Sequence, residues 1–198
     1  YPVLANQWET SIPMYRISTD YEGEGAPIWD WQDIMFVKPG SPTERGIQPD
    51  DRFVRQVQSQ FADYESYMEE TLLPVFAQSE QEMFRQKWTE YKQEIDSLVK
   101  GKNMLRKGRM LMNGEILDTM LGYPIARRIG WQTKNKPYLD KDRIIVPLYS
   151  DGLNFSMFAY TDNKGKNWKY SNPILGGGGI QATIAKSENG DLVAYLRD

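Results

Sequence analysis

Apolar side chains in residues 49–100 recur every three or four positions, in two runs separated by Pro74. The first run follows Pro49 and Asp50, which are typical of a helix start, and the second ends near Gly101. This spacing places the apolar side chains on one face of a helix and predicts a helical hairpin. The two stripes are Phe53, Val57, Phe61, Tyr64, Met68 and Leu72, and Phe84, Trp88, Tyr91, Ile95 and Leu98. We expect these aromatic residues to pack within the hairpin rather than to bind a ligand.

From residue 126 onward the pattern changes to short apolar runs separated by turn residues. Predicted strands are 143–148, 156–160, 168–171, 181–186 and 192–196, with two earlier strands at 14–18 and 33–37. This spacing is typical of β-sandwiches, β-barrels and propeller blades. The basic stretch 101–125 is interpreted as a solvated connector, with contact to an acidic ligand as the alternative. The pattern thus predicts a mainly β protein with a helical-hairpin insertion, divided into 1–48, 49–100, 101–125 and 126–198.

Composition excludes several kinds of chemistry. The 198 residues include no histidine and no cysteine, which removes imidazole bases, thiol nucleophiles, disulfides and most zinc sites. A net charge of −3 does not favour nucleic acid as a partner. No apolar run approaches the roughly 20 residues of a membrane span. We expect no cofactor and no metal, and the aromatic content of 13% suits a sugar-binding cleft.

One turn, residues 161–168, reads TDNKGKNW and carries more specific chemistry than a hairpin requires. The side chains of Thr161 and Asn163 can accept hydrogen bonds from the N–H groups of the turn itself. Gly165 can adopt a positive φ, and Trp168 can fold over the turn and bury apolar surface. These residues predict a self-supporting hairpin corner with a structural rather than a catalytic role.

The spacing of these four residues resembles the Asp box, Ser/Thr-x-Asp-x-Gly-x-x-Trp, of the BNR repeats of sialidases, with Asn163 in place of the Asp. The flanking stretches 143–152 (RIIVPLYSDG) and 180–198 (IQATIAKSENGDLVAYLRD) are similar to the predicted-neuraminidase branch of that superfamily. The resemblance covers about residues 126–198, and STD at 18–20 resembles the beginning of a second, degenerate box. It implies part of a six-bladed β-propeller, with the helical hairpin inserted between its strands.

The resemblance also implies that blades are missing from this sequence. A four-stranded blade takes about 40–50 residues, so the chain without its hairpin supplies roughly two to three blades. The chain begins at Tyr1 without a Met and ends directly after a strand-like run, so we expect a piece of a longer protein. The remaining blades would come from that protein or from another chain. The implied location is secreted, periplasmic or at the cell surface, although the chain itself has no signal peptide.

Sialidases share three arginines that clamp the substrate carboxylate, a Glu–Tyr nucleophile pair and an Asp that acts as acid and base. Arg197 ends the motif ENGDLVAYLR and corresponds to one clamp arginine, with a salt-bridged arginine at a strand end as the alternative. Gln181 stands near the place of the family's Glu, and an amide cannot serve as a base for a tyrosine. We therefore expect Gln181 to contact the ligand, and the sugar need not be sialic acid.

Further candidate residues are weaker. Candidates for binding an acidic sugar are Arg127, Arg128, Lys134, Asn135 and Lys136, with a solvated loop as the alternative. Asp151 is a weak candidate for a catalytic acid, since Asp-Gly is first of all a turn dipeptide. Possible sugar platforms are Trp29, Trp31 and Trp131, each of which could instead be a packing residue. Arg16 resembles a second clamp arginine by accident, and the glycines at 176–179 are not a phosphate loop because no Lys-Ser/Thr follows them.

The implied function is that of a sialidase-like glycoside hydrolase acting on an anionic or decorated glycan. The alternative is a propeller that has lost catalysis and binds carbohydrate or protein.

Overall fold

A computed structural model of the chain describes residues 11, 13–29, 31–35, 50–100, 109–112, 115–118, 130–176 and 179–197. These residues form helices and antiparallel sheets, and the two classes of element hold nearly equal numbers of residues. The described part is therefore a mixed structure, and the mainly β class expected from the sequence is not established by it. The six-bladed propeller stays a prediction.

Two helices lie where the apolar stripes predict them. Helix α1 spans Arg52–Tyr67 and is extended by a π-helical turn, Met68–Leu72, and a 3₁₀ turn, Leu73–Val75. Pro74 lies in that last turn and has no N–H to donate, so no helical hydrogen bond can be made from this residue. Helix α2 spans Gln78–Val99. No helix in the described part of the chain is long and apolar enough to cross a bilayer.

The two helices pack through aromatic residues on their facing sides. The Trp88 ring lies 5.9 Å from that of Phe61 and 4.5 Å from that of Tyr64, measured between centroids. The indole Nε1 of Trp88 donates to Glu65 Oε1 at 3.0 Å, and Lys92 Nζ approaches the same oxygen at 2.6 Å. Hydrogen bonds from Lys92 and then Trp88 lower the pKa of the Glu65 carboxyl. The stripe aromatics are thus packing residues.

The largest sheet is a four-stranded antiparallel meander. Its strands, in spatial and chain order, are β5 (Tyr138–Asp140), β6 (Arg143–Ser150), β7 (Phe155–Thr161) and β8 (Lys169–Tyr170). Such a meander is the architecture of one propeller blade, but it also occurs in other antiparallel folds.

Three two-stranded hairpins accompany this sheet. They are β1 (Met14–Ile17) with β2 (Trp31–Ile34), β3 (Arg109–Met112) with β4 (Glu115–Asp118), and β9 (Ile180–Lys186) with β10 (Leu192–Arg197). The β3–β4 hairpin lies within 101–125, which the sequence predicted to be a connector. The Asn-Gly dipeptide between the two strands is a strong hairpin signal, and the basic residues before it obscured that signal.

The helices and the sheet share one hydrophobic core. Phe53 and Val57 of α1 and Leu98 of α2 are buried in the same cluster as Leu148 and Phe155 of the sheet. The rings of Phe53 and Phe155 lie 6.2 Å apart. Strand β6 is buried along most of its length, because its Val146 and Leu148 lie in the core shared with the helices and β9 also packs against it. This burial explains its nearly continuous apolar sequence. The interpretation of 49–100 as a propeller insertion remains a prediction, but in this structure the helices contribute to the core.

Glycine allows the chain after the sheet to approach the helices closely. Gly176 has φ +139°, and a Cβ built there would lie 2.8 Å from Cε2 of Tyr64 in α1. On the same side, the Tyr91 hydroxyl donates to the carbonyl of Asn154 at 3.2 Å, and burial raises the pKa of Tyr91. The helical hairpin is therefore fixed to two connections of the sheet.

Candidate functional site

Strand β9 is irregular at Gln181, a predicted ligand contact. Tyr195 pairs with Thr183 whereas Arg197 pairs with Ile180, so β9 carries one residue more than β10 over this interval. Gln181 has φ 56°, in the left-handed region, which costs a non-glycine residue about 1–2 kcal/mol. A bulge of this kind re-aims a side chain relative to a regular strand. Strained backbone of this type is often found at functional sites.

The side-chain amide of Asn135 stabilises this bulge. Its Nδ2 donates to the carbonyl oxygen of Gln181 at 2.8 Å and to that of Ala182 at 2.9 Å. Each hydrogen bond contributes about 0.5–1.5 kcal/mol, so the pair is comparable with the cost of the left-handed conformation. Asn135 thus positions Gln181 through the backbone.

Two cationic side chains converge on the amide oxygen of Gln181. Lys134 Nζ and Arg197 Nη1 each lie 3.1 Å from Gln181 Oε1. We call Lys134, Asn135, Gln181 and Arg197 the amide cluster. The Oε1 atom of Gln181 marks a position that Lys134 and Arg197 both reach at once. A carboxylate or sulfate oxygen at that point would receive two charge-assisted hydrogen bonds, which are stronger than those to a neutral amide.

The amide cluster carries excess positive charge. Lys134 and Arg197 are exposed, and no carboxylate of a described residue forms an ion pair with either of them. By contrast, Lys186, farther along β9, lies 3.2 Å from the carboxylate of Asp140. The hairpin therefore pairs Lys186 with an acid, whereas its Arg197 and the neighbouring Lys134 meet a neutral acceptor. This arrangement can bind an anion.

The predicted acid Asp151 is tied to a different neighbour. Its Oδ2 accepts a hydrogen bond from Gln132 Nε2 at 2.8 Å, and the Tyr149 hydroxyl donates to Gln132 Oε1 at 3.2 Å. Gln132 is buried and was missed at the sequence level, since a single Gln after a Trp carries no motif. A catalytic role for Asp151 stays a prediction.

The other predicted site residues are dispersed. Arg127 and Arg128 lie outside the described residues. Trp131 is 2% exposed and packs 5.8 Å from the ring of Phe155, so it is a core residue rather than a sugar platform. Trp29 is 56% exposed, and the side chain of Trp31 lies outside the described part of the structure.

In the corner at residues 161–168, the side chains of Thr161 and Asn163 form hydrogen bonds with the backbone of the turn. The Thr161 hydroxyl, in a residue 1% exposed, accepts from the N–H groups of Asn163 at 3.3 Å and Gly165 at 3.1 Å. It donates to Asn163 Oδ1 at 2.8 Å, and the same oxygen accepts from the N–H of Asn167 at 2.9 Å. The amide oxygen of Asn163 therefore performs the acceptor role that a carboxylate would have in an Asp box.

The corner also joins the sheet to the β1–β2 hairpin. Gly165 has φ +84°, and a Cβ there would lie 3.1 Å from Cδ1 of Ile17. The Tyr15 hydroxyl donates to the carbonyl of Gly165 at 3.0 Å, and its ring meets the edge of Trp168 with a centroid separation of 5.4 Å. Gly165 is therefore needed both for its positive φ and for the close approach of Ile17 to the turn.

Charged groups on the outside of the corner are exposed. Arg143 Nε lies 2.6 Å from Asp162 Oδ1, and Lys169 Nζ lies 3.6 Å from Asp162 Oδ2. The hydrogen bond from Arg143 is the main cause that lowers the pKa of the Asp162 carboxyl. Solvent screening keeps the energy of such pairs small.

The same hydroxyl-to-Asx contact recurs after three strands. In each case the hydroxyl of a Ser or Thr donates to the side chain of an Asp or Asn two positions later. The pairs are Ser18–Asp20 after β1 (2.6 Å), Thr161–Asn163 at the end of β7 (2.8 Å), and Ser187–Asn189 after β9. The sequence suggested a box-like turn for the first two pairs. The third turn does not resemble a box in sequence, because no Trp follows it at the box spacing.

The described residues contain no group of three or more Asp or Glu side chains able to hold a metal ion. The amide cluster is cationic and would repel a metal.

Comparison with known proteins gives one partial similarity. A segment of the chain is 39% identical over 57 residues to the anhydrosialidase of Macrobdella decora. This segment is 28% of the chain and spans 8% of the length of the anhydrosialidase. No protein-family model matches the chain, and no solved structure matches it. Part of the chain is thus similar to a sialidase-related protein.

Proposed function

We propose that this chain is part of a sialidase-like glycoside hydrolase and that its amide cluster binds the acid group of an anionic or decorated glycan. The observation that carries the proposal is the convergence of Lys134 and Arg197 on one neutral oxygen of Gln181. The partial similarity to an anhydrosialidase supports the choice of a glycan as ligand.

Binding would exchange the amide oxygen for an oxygen of the ligand. The sugar carboxylate would accept from Arg197, whose planar fork suits a carboxylate, while Lys134 would act as a second positive charge. Gln181 would then turn its amide toward neighbouring sugar hydroxyls. Asn135 would hold the strained backbone in place throughout. In this proposal the nucleophile and the acid are supplied elsewhere in the protein, and Asp151 is a weak candidate for the acid.

The second candidate function is a non-catalytic propeller that binds carbohydrate or protein. It is favoured by Gln181 itself, because an amide cannot exchange a proton as the Glu of a sialidase does. Under this alternative the cluster would still bind an anion, but no glycosidic bond would be broken.

The setting of the function is part of the proposal. A protein acting on anionic glycans would be secreted, periplasmic or at the cell surface. The remaining propeller blades would come from the same longer protein or from another chain, and no nucleic acid would be involved.

The test is a panel of sialosides, uronides and rhamnosides offered to the purified protein, with sugar release and binding both measured. Release from one class supports the hydrolase, and binding without release supports the second candidate. Arg197→Lys keeps the charge but removes the fork, and we expect about tenfold weaker binding of the acidic sugar. Arg143→Lys is the matched control, since that arginine is ion-paired elsewhere. Unchanged binding in Arg197→Lys would contradict the assignment of the site.

A further inference from the structure

A cavity of about 490 Å³ lies between strand β1, the β5–β6 edge of the sheet and the corner. Its volume falls in the range of about 300–1,000 Å³ that is typical of small-molecule sites. Much of its wall is apolar and includes Met35, Ile144, Val146 and Trp168. A sugar would leave its hydroxyl groups without partners against such walls, so the cavity suits an apolar body.

Three cations line this cavity from three separate segments. Arg16 comes from β1, Lys136 from the segment before β5, and Lys164 from the corner. The described lining includes no Asp or Glu. In the described part of the chain, none of the three cations forms an ion pair with a carboxylate. The cavity therefore combines apolar walls with positive charge.

A smaller cavity shows that this combination is not general in the molecule. It measures about 260 Å³ and lies between strands β6 and β7 and the β9–β10 hairpin. Its charged lining residue, Arg143, is paired with Asp162 at 2.6 Å. The charge of the smaller cavity is thus already compensated within the chain.

We propose that the larger cavity binds a small amphipathic anion, namely a carboxylate or sulfate with an aliphatic or aromatic body. The body lies against Val146 and Trp168, where it leaves water, and the acid group meets the lysines at the rim. This site differs from the amide cluster in its residues and in the apolar body of its ligand, and it does not depend on the proposed glycan function.

The test uses isothermal titration calorimetry of the purified protein with decanoate below its micelle concentration. Decanol and decylammonium supply the same body with a neutral or a positive head. We expect saturable binding of one decanoate, at least about tenfold tighter than the other two, and weaker in high salt. Equal affinity for decanoate and decylammonium, or no saturable binding of decanoate, would overturn the proposal.

Variants locate the binding site. Lys136→Gln and Lys164→Gln should each weaken decanoate binding about two- to fivefold, the range of a solvent-exposed charge pair. Lys166→Gln is the matched control, because Lys166 lies in the same corner but does not line the cavity. An equal loss in Lys166→Gln would show that only the overall charge matters and would overturn the proposal.

One further variant tests the apolar part of the cavity. Leu139 is 67% exposed and lines the cavity, so Leu139→Glu should fold normally and weaken decanoate binding by repulsion. Unchanged decanoate binding in Leu139→Glu would place the probe elsewhere and reject the site.

Discussion

The corner at 161–168 and the amide cluster are built from similar parts but use them in opposite ways. Each contains polar side chains near strand ends and a non-glycine residue with positive φ, 57° at Lys164 and 56° at Gln181. In the corner, Thr161 and Asn163 satisfy the hydrogen-bonding groups of the turn itself. In the cluster, two cations share one neutral oxygen.

This difference separates a structural motif from a candidate binding site. The hydrogen bonds of Thr161 and Asn163 are made within the turn and stabilise the fold, so a ligand would gain nothing by replacing these two side chains. A group of cations with a weak acceptor gains free energy when a charged acceptor arrives. We therefore expect mutations in the corner to change stability, and mutations in the cluster to change affinity.

The largest effect is expected from Thr161→Val, which keeps the shape of the side chain but removes the hydroxyl. The buried N–H of Gly165 and the partly buried N–H of Asn163 would lose their acceptor, and a buried unsatisfied group costs about 1–3 kcal/mol. We expect the free energy of unfolding, measured in urea, to fall by about 2–4 kcal/mol. Thr161→Ser keeps the hydroxyl and should lose much less. A similar loss in both variants would show that the methyl group, not the network, matters.

The second-largest effect is expected from Gly165→Ala, which tests whether the corner needs glycine only for the positive φ or also for the contact with Ile17. Gly165→Ala should cost about 2 kcal/mol, because it adds a clash with Ile17 to the backbone strain. Gly190→Ala is the matched control, since Gly190 has φ +94° and a Cβ there meets nothing within 4 Å. It should cost about 1 kcal/mol, from backbone strain alone. If Gly165→Ala and Gly190→Ala lowered the free energy of unfolding in urea equally, the close contact between Gly165 and β1 would contribute nothing to the loss.

In the cluster, Gln181→Glu should separate affinity from stability. The new carboxylate would occupy both cations, so binding of glucuronate or N-acetylneuraminate should weaken about tenfold. The free energy of unfolding should stay the same or rise by less than about 1 kcal/mol, because the new ion pairs are exposed. Thr183→Glu, on the same strand, adds the same charge outside the cluster and should change binding little. Undiminished binding in Gln181→Glu would contradict the cluster as the anion site.

The smallest effect is expected from the charges outside the corner. The folded pKa of Asp162 lies below its ordinary value of 3.8, so its ion pairs stabilise the protein above that pH. This stabilisation is lost as the pH falls through the folded pKa. Asp162→Asn should slightly lower the melting temperature near neutral pH and converge with the original protein in acid. A large difference that persists in acid would show that Asp162 acts through something other than its charge.

Sequence patterns predicted the local elements well. The spacing of Phe53, Val57 and Phe61 predicted α1, and the box residues predicted the form of the corner, because both depend on neighbours within a few positions. The β3–β4 hairpin and the even balance of helix and strand were not predicted. The propeller and the insertion remain predictions, since one four-stranded meander is compatible with several folds.

The sequence predicted the residues of the candidate site but not the contacts between them. Arg197, Gln181, Lys134 and Asn135 were singled out separately, and the structure brings them together. The bulge at Gln181 has no sequence signal, because Gln carries no preference for positive φ and the strand pattern around it is regular. The bond between Gln132 and Asp151 likewise joins residues 19 positions apart without any motif.

The sequence alone determined the two helices, most strands of the second half and the chemistry of the corner, since these follow from periodicity and from hydrogen bonds within a turn. Tertiary structure decided which polar groups are satisfied and which are left for a ligand. That outcome depends on contacts such as Lys134 with Gln181, which are 47 positions apart, and on the cavity where β1 meets the sheet. Such contacts arise only when the core has assembled, because burial of shared apolar surface determines which elements become neighbours.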